Sequence, residues 1–128
     1  MITFPTITDE RGKLTVIERL PFAIRRVYYL HGCTPDAQRG GHAHRKLRRI
    51  LVAIAGGFSV SLDGGPKFSL RDPGVGLPVL PMQWLELADF SPGAICLVLA
   101  SAEYEAADYI RDRIEWEALR GTQARAAA

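Results

Sequence analysis

Cysteine is scarce in this chain, with two among 128 residues, and that scarcity excludes a disulfide scaffold. Cys33 falls in the loop-like stretch His31-Gly32-Cys33-Thr34-Pro35 and Cys96 inside the apolar run AICLVLA. Both read as reduced thiols without a chemical task, one exposed and one buried, as expected in a cytoplasmic protein. Long hydrophobic runs are missing too. None approaches the roughly 18 to 20 residues that span a bilayer, so no membrane partner is expected. The N-terminal MITFPTITDERGKL has an acidic pair and no continuous apolar core, so no secretory signal is expected there. Nor does one sign of charge prevail: 16 Lys and Arg stand against 14 Asp and Glu, a net +2. One basic cluster exists, from Arg39 to Arg49, but no aromatic residue interrupts it to stack a base. A nucleic-acid partner is therefore not expected.

What the chain does have is period-2 patterning. KLTVIE (13–18), IRRVYYL (24–30), FSVSL (58–62) and KFSL (67–70) alternate or favour β structure, and RRILVAIAGG (48–57) is apolar enough for a strand buried on both faces. Asp63-Gly64-Gly65 predicts a hairpin turn, with glycine supplying positive φ. The prolines of RDPGVGLPVLPMQW leave room only for short, edge-like strands, and AICLVLAS (94–101) is the last strong strand. Helical spacing is confined to EAADYIRDRIEWEALRG, where Ile110, Ile114 and Leu119 share a face, with a stop at Gly121 and a frayed TQARAAA tail. The length fits one domain spanning 1–128, with a core from about residue 5 to about 115. Many short strands and one C-terminal helix predict an all-β sandwich or barrel.

RGGHAHRKLRR (39–49) carries the chemistry. His42 and His44 share one face of a strand while Ala43 points away, and Gly40-Gly41 predicts a close backbone approach. The spacing resembles the first motif of the cupin barrels, in which two histidines and a glutamate hold a metal. Here the glutamate position holds Arg49, and Arg48 precedes it. The region of a second-motif histidine reads PMQWLEL. Guanidinium groups repel a divalent ion and cannot become ligands, whereas they suit an anion. Nearby positive charge also keeps imidazoles neutral near pH 7. Of a metal site, structural histidines and a proton-transferring pair, the donor set favours the last.

The chain as a whole resembles the sugar 3,4-ketoisomerases of the WxcM-like, FdtA-type group, small cupins related in fold to the RmlC-like β-barrels and jelly rolls. The resemblance is carried in order by DERGKLTVIE (9–18), PFAIRRVYYL (21–30), RGGHAHRKL (39–47), ILVAIAGGFSVSLDGG (50–65), GLPVLPMQWLELADFS (76–91) and LVLASAEYEAADYIRD (97–112). It implies a cupin barrel with a short C-terminal helix. It also implies conversion of dTDP-4-keto-6-deoxyglucose to its 3-keto isomer with no metal and no cofactor. The product would serve biosynthesis of 3-amino-3,6-dideoxy sugars for surface glycans such as lipopolysaccharide. A homodimer with exchanged N-terminal strands is implied as well.

His42 and His44 then move the protons, and Arg39 stabilises the oxyanion or holds a phosphate. Arg26 meets the diphosphate, because the family has an arginine there, and Tyr28 shares its face to reach the sugar. Trp84 walls the sugar, packs beneath the thymine, or serves the core. Tyr104, Asp108, Tyr109 and Arg111 are expected to lock the last strand. Family members commonly carry Glu-Gln in place of Arg48-Arg49. If Arg49 faces the interior, a fixed charge there strengthens enediolate binding or changes which sugar nucleotide fits. Two rivals follow. One is a sugar-nucleotide 3,5-epimerase, whose usual histidine–aspartate dyad has no evident counterpart in this sequence. The other is a non-catalytic sugar-nucleotide-binding cupin.

Overall fold

The computed structural model describes residues 1–127, with side chains through Thr122. Two five-stranded antiparallel sheets face each other. The first runs β1 (Ile2–Thr3), β9 (Val75–Val79), β6 (Arg49–Ala55), β11 (Ile95–Ala100), β4 (Arg26–Leu30). The second runs β12 (Tyr109–Ile110), β5 (Arg39–His44), β10 (Leu85–Ala88), β7 (Phe58–Leu62), β8 (Phe68–Leu70). A separate hairpin joins β2 (Thr6–Asp9) to β3 (Gly12–Thr15).

Alternation along the strands builds the core between the sheets. Leu51 and Ala53 of β6 and Cys96 and Val98 of β11 point inward against Phe58, Val60, Leu85 and Leu87 of the facing sheet. The opposite face of β6 is also buried: Ile50 and Val52 lie under Phe4, with Ile17, Leu20 and Phe22 packed around them. This double burial accounts for the near-continuous apolar run of that strand. The turn after β7 closes with the Gly65 amide donating to Leu62 O at 2.9 Å, and both Asp63 (φ 57) and Gly64 (φ 72) are left-handed. Strand β9 is not an edge strand, since it lies between β1 and β6. Its Pro78 is tolerated because β1 pairs only with Val75 and Gly76, leaving the rest of that side open.

The C-terminal helix departs most from expectation. Helix α1 (Arg113–Ala127) begins after Ile110, passes through Gly121 without stopping, and leaves Ile114 78 % exposed. Tyr109 and Ile110 are instead held as a strand by pairing with His44 and Ala43. Asp112 caps the helix by accepting the Ile114 amide at 2.9 Å on its carboxylate. Trp116 and Leu119 form the buried face, with Trp116 stacked 5.5 Å from Trp84 over Ala43 and Ile110. The tail TQARAAA, expected to fray, is helical as far as Ala127, and residue 128 lies outside the described residues.

Trp116 Nε1 donates to Met82 O at 2.7 Å as well as filling this cluster. Trp116→Ala should therefore destabilise the fold by about 3 to 5 kcal/mol in urea titration. Ile114→Ala should stay within about 0.5 kcal/mol of the parent. Equal effects at the two positions would contradict this docking of the helix.

Candidate active site

Strand β5 presents the histidines, and a bulge in its pairing with β10 aims them. The register shifts between Leu85 and Glu86, opposite Gly40 and Gly41, both left-handed. A Cβ on Gly40 would come within 2.6 Å of Leu85 O, so only glycine allows the two backbones to approach this closely. Beyond the bulge, His42 and His44 share the inner face with ring centroids 5.1 Å apart and planes near perpendicular. Ala43 turns the other way, beneath Trp84 and Trp116.

The segment after β11 completes the arrangement. Tyr109 pairs across from His44, and its ring lies 4.2 Å from the His44 ring and 5.0 Å from that of His42. Asp108 Oδ2 sits 3.1 Å from His44 Nδ1. The same carboxylate accepts the Lys46 and Leu47 amides at 2.9 and 3.2 Å, which fixes it to the turn after β5. An ionised carboxylate there calls for the proton on His44 Nδ1, leaving the Nε2 lone pair free. His44 Nε2 and His42 Nδ1 are both buried without a partner. The DYIR segment was expected to be structural and the histidine–aspartate dyad absent. The segment does lock onto β5, and it reaches the histidines as well; the aspartate beside a histidine that the sequence did not reveal is Asp108. The signal was present in the alternation: read as strand rather than helix, Tyr109 and Arg111 share a face.

A cavity of about 440 Å³ opens beside His42. Arg26, Arg39, Arg49 and Arg111 line it, together with Tyr28, and no lining residue among those described is a carboxylate. Leu51, Leu85, Leu87 and Val98 give it an apolar wall. Arg39 and Arg111 are exposed at its mouth, Arg26 is half-buried with its guanidinium 4.4 Å over the Tyr28 ring, and Arg49 is 2 % exposed. His44 lies behind His42, outside the lining of this cavity, at 1 % exposure. Trp84 is not at the site. It is buried on the outer side of the second sheet, its Nε1 donating to Glu86 at 2.9 Å, so the expected contact with sugar or thymine is replaced by core packing. Among the described residues no three His, Cys, Asp or Glu side chains converge to hold a metal ion.

Burial first, and then the Arg49 charge, push the His42 imidazole down from 6.5 to about 4. The same two causes, with His42 adding to them, bring His44 to about 3, although Asp108 pulls in the other direction. Both rings are neutral bases at neutral pH. Burial raises the Tyr28 phenol, and the Arg49 and Arg26 charges oppose that rise.

The family model for WxcM-like C-terminal domains (FdtA) matches residues 1–121. The chain belongs to this family. It is 44% identical over 117 residues to the TDP-4-oxo-6-deoxy-alpha-D-glucose-3,4-oxoisomerase of Aneurinibacillus thermoaerophilus, covering 87% of this chain and 84% of that one. A variant of QdtA from Thermoanaerobacterium thermosaccharolyticum, solved in complex with TDP-4-keto-6-deoxyglucose, superposes with a TM-score of 0.87 at 40% identity, over 90% of this chain and 88% of that one. The WlaRB TDP-quinovose 3,4-ketoisomerase of Campylobacter jejuni gives 0.83 at 39% identity, over 89% and 92%. Like these relatives, this WxcM-like chain is a cupin-type β fold with one C-terminal helix.

The depressed imidazoles make a pH prediction. From 6.5 down to about 4 and about 3, the unfolded chain binds protons that folded His42 and His44 refuse. Their contribution is therefore complete above 6.5 and falls as the pH drops through that window. Urea titrations from pH 7.5 to 4.5 should show a steeper acid loss in the parent than in a His42→Asn, His44→Asn double variant. Parallel slopes would contradict the neutral assignment.

Proposed function

We propose that this protein converts dTDP-4-keto-6-deoxyglucose to its 3-keto isomer without a metal, with His42 and His44 moving the protons. The observation that carries this reading is the neutral His42 imidazole in a pocket whose ionised lining groups, among the described residues, are all arginines, with the His44 imidazole adjoining it from behind. The identity with isomerases of that substrate class supports it.

The C3 hydrogen is acidic because it lies α to the C4 ketone. An imidazole nitrogen takes that proton; the C3–H electron pair becomes the C3=C4 double bond, and the carbonyl pair moves onto O4. The O3 proton then passes to O4, the C3=O bond forms, and an imidazolium whose proton has exchanged with water protonates C4. Two protons move, one between carbons and one between oxygens, and two imidazoles suit that count. Asp108 holds His44 in the tautomer with a free Nε2. Arg39 and Arg111 at the mouth, with Arg26, grip the diphosphate through charge-assisted bonds. Tyr28 meets the sugar hydroxyls, and the leucine wall accepts the 6-methyl group. A pyridoxal-phosphate aminotransferase is the enzyme class that consumes a 3-keto sugar on the way to a 3-amino sugar.

The chain acts as a homodimer joined through its N-terminal strands. Ile7 and Leu14 pair across the β2–β3 hairpin, and both are more than half exposed, an apolar pair that a second copy would cover. Sedimentation velocity should give a dimer that Ile7→Asp, Leu14→Asp converts to monomer. A monomeric parent would contradict this assembly.

A 3,5-epimerase is the second reading, and the His44–Asp108 dyad is the observation in its favour. Turnover in deuterated water separates the two. Isomerisation places the ketone at C3 and label at C4; epimerisation leaves the ketone at C4 and labels C3 and C5. We expect the first outcome, with His42→Asn and His44→Asn each lowering turnover about a hundred- to ten-thousandfold while dTDP still binds. A labelled 4-keto product, or an inert parent that binds the nucleotide, would overturn the isomerase reading.

A further inference from the structure

Among the described residues, the deepest charge in the pocket has no carboxylate partner. Arg49 opens β6, is 2 % exposed, and its Nε finds no hydrogen-bond acceptor. Arg48 beside it is well served. Its amide donates to Ser101 Oγ at 2.9 Å, and its guanidinium donates to Pro21 O at 3.1 Å on the opposite side of the sheet. The carboxylate that reaches the histidines, Asp108, is committed to His44 and two backbone amides. A guanidinium that is both buried and unpaired is costly, and it is retained where an anion arrives to meet it.

The reaction offers two such anions. One is the nucleotide diphosphate, which is permanently charged and large. The other is the enediolate oxygen, which is charged only while the proton is away from carbon. Exposed Arg39 and Arg111 at the mouth suit the first. Arg49 lies among the apolar wall residues, on the strand that also carries Leu51 into the cavity. It is close enough to both imidazoles to disfavour their charged forms.

We propose that Arg49 is a catalytic residue that binds the enediolate oxygen formed while an imidazole holds the C3 proton. This rests on the isomerase reading above. As the C3–H pair moves into the C3=C4 bond and O4 gains its charge, the guanidinium, which has the neutral Tyr28 phenol beside it and an Nε without an acceptor, gains an anionic partner. The interaction is therefore stronger in the transition state than with the neutral ketone, which is the condition for raising turnover rather than affinity.

The test uses the full chain and dTDP-4-keto-6-deoxyglucose, with dTDP affinity measured by calorimetry. Arg49→Gln should lower kcat about a hundred- to a thousandfold. KM and dTDP affinity should stay within about threefold of the parent, the pattern of an interaction made only in the transition state. Arg49→Lys, which keeps the charge and loses the planar fork, should recover part of the loss. A kcat unchanged in Arg49→Gln, or a loss confined to KM and dTDP binding, would overturn the assignment; the second pattern would make Arg49 a phosphate ligand. If Arg49→Gln loses its thermal unfolding transition, Arg49→Lys decides, with lowered kcat and retained dTDP affinity expected and parental kcat overturning. A parent that does not isomerise overturns both readings, whereas an active parent matched by its variants overturns only this one.

Discussion

Arg49 is buried beside His42 and His44, and its positive charge reaches both rings. Burial and that charge act in the same direction, since each disfavours an imidazolium. The result is a pocket in which the bases stay unprotonated at neutral pH and the site as a whole attracts negative charge. A metal-binding cupin frame uses the equivalent position for a carboxylate. Exchanging that carboxylate for a guanidinium inverts the electrostatics of the same scaffold, from gathering a cation to gathering an anion.

The rest of the fold holds this arrangement in place. Strand β5 is its hinge point. Gly40 and Gly41 let the strand bulge against Leu85, so that His42 and His44 face the barrel interior. On the outer side of the same strand, Ala43 is small enough to let Trp84 and Trp116 close over it. The two-residue strand β12 then serves both faces: Ile110 joins the tryptophan cluster while Tyr109 packs on the imidazoles. Stability on one side and chemistry on the other thus depend on one short register.

Much of this was legible in the residues. The i, i+2 spacing of the histidines gave a shared face, the paired glycines a close backbone contact, and the apolar run of β6 a doubly buried strand. Arg26, Tyr28, Arg39 and Arg49 all line the cavity, as their alternation along β4, β5 and β6 implies. What misled was competition between two periods in one segment. AADYIRDRIEWEAL carries enough helical spacing to hide a strand of two residues, whose conformation is set by pairing with β5 and not by local preference. That concealed the Asp108–His44 contact, which joins residues 64 apart in sequence. Trp84 was ambiguous for a different reason: which side of a strand end a lone tryptophan takes depends on its partner, and Trp116 lies on a helix displaced from its expected start.

Nitrogen-15 chemical shifts of the histidine rings, recorded at pH 6 and 7 on the ligand-free protein, test the central claim most directly. His42 and His44 should both be neutral at either pH, with the His44 proton on Nδ1 facing Asp108. Imidazolium shifts for either ring at pH 7, or a His44 proton on Nε2, would contradict it.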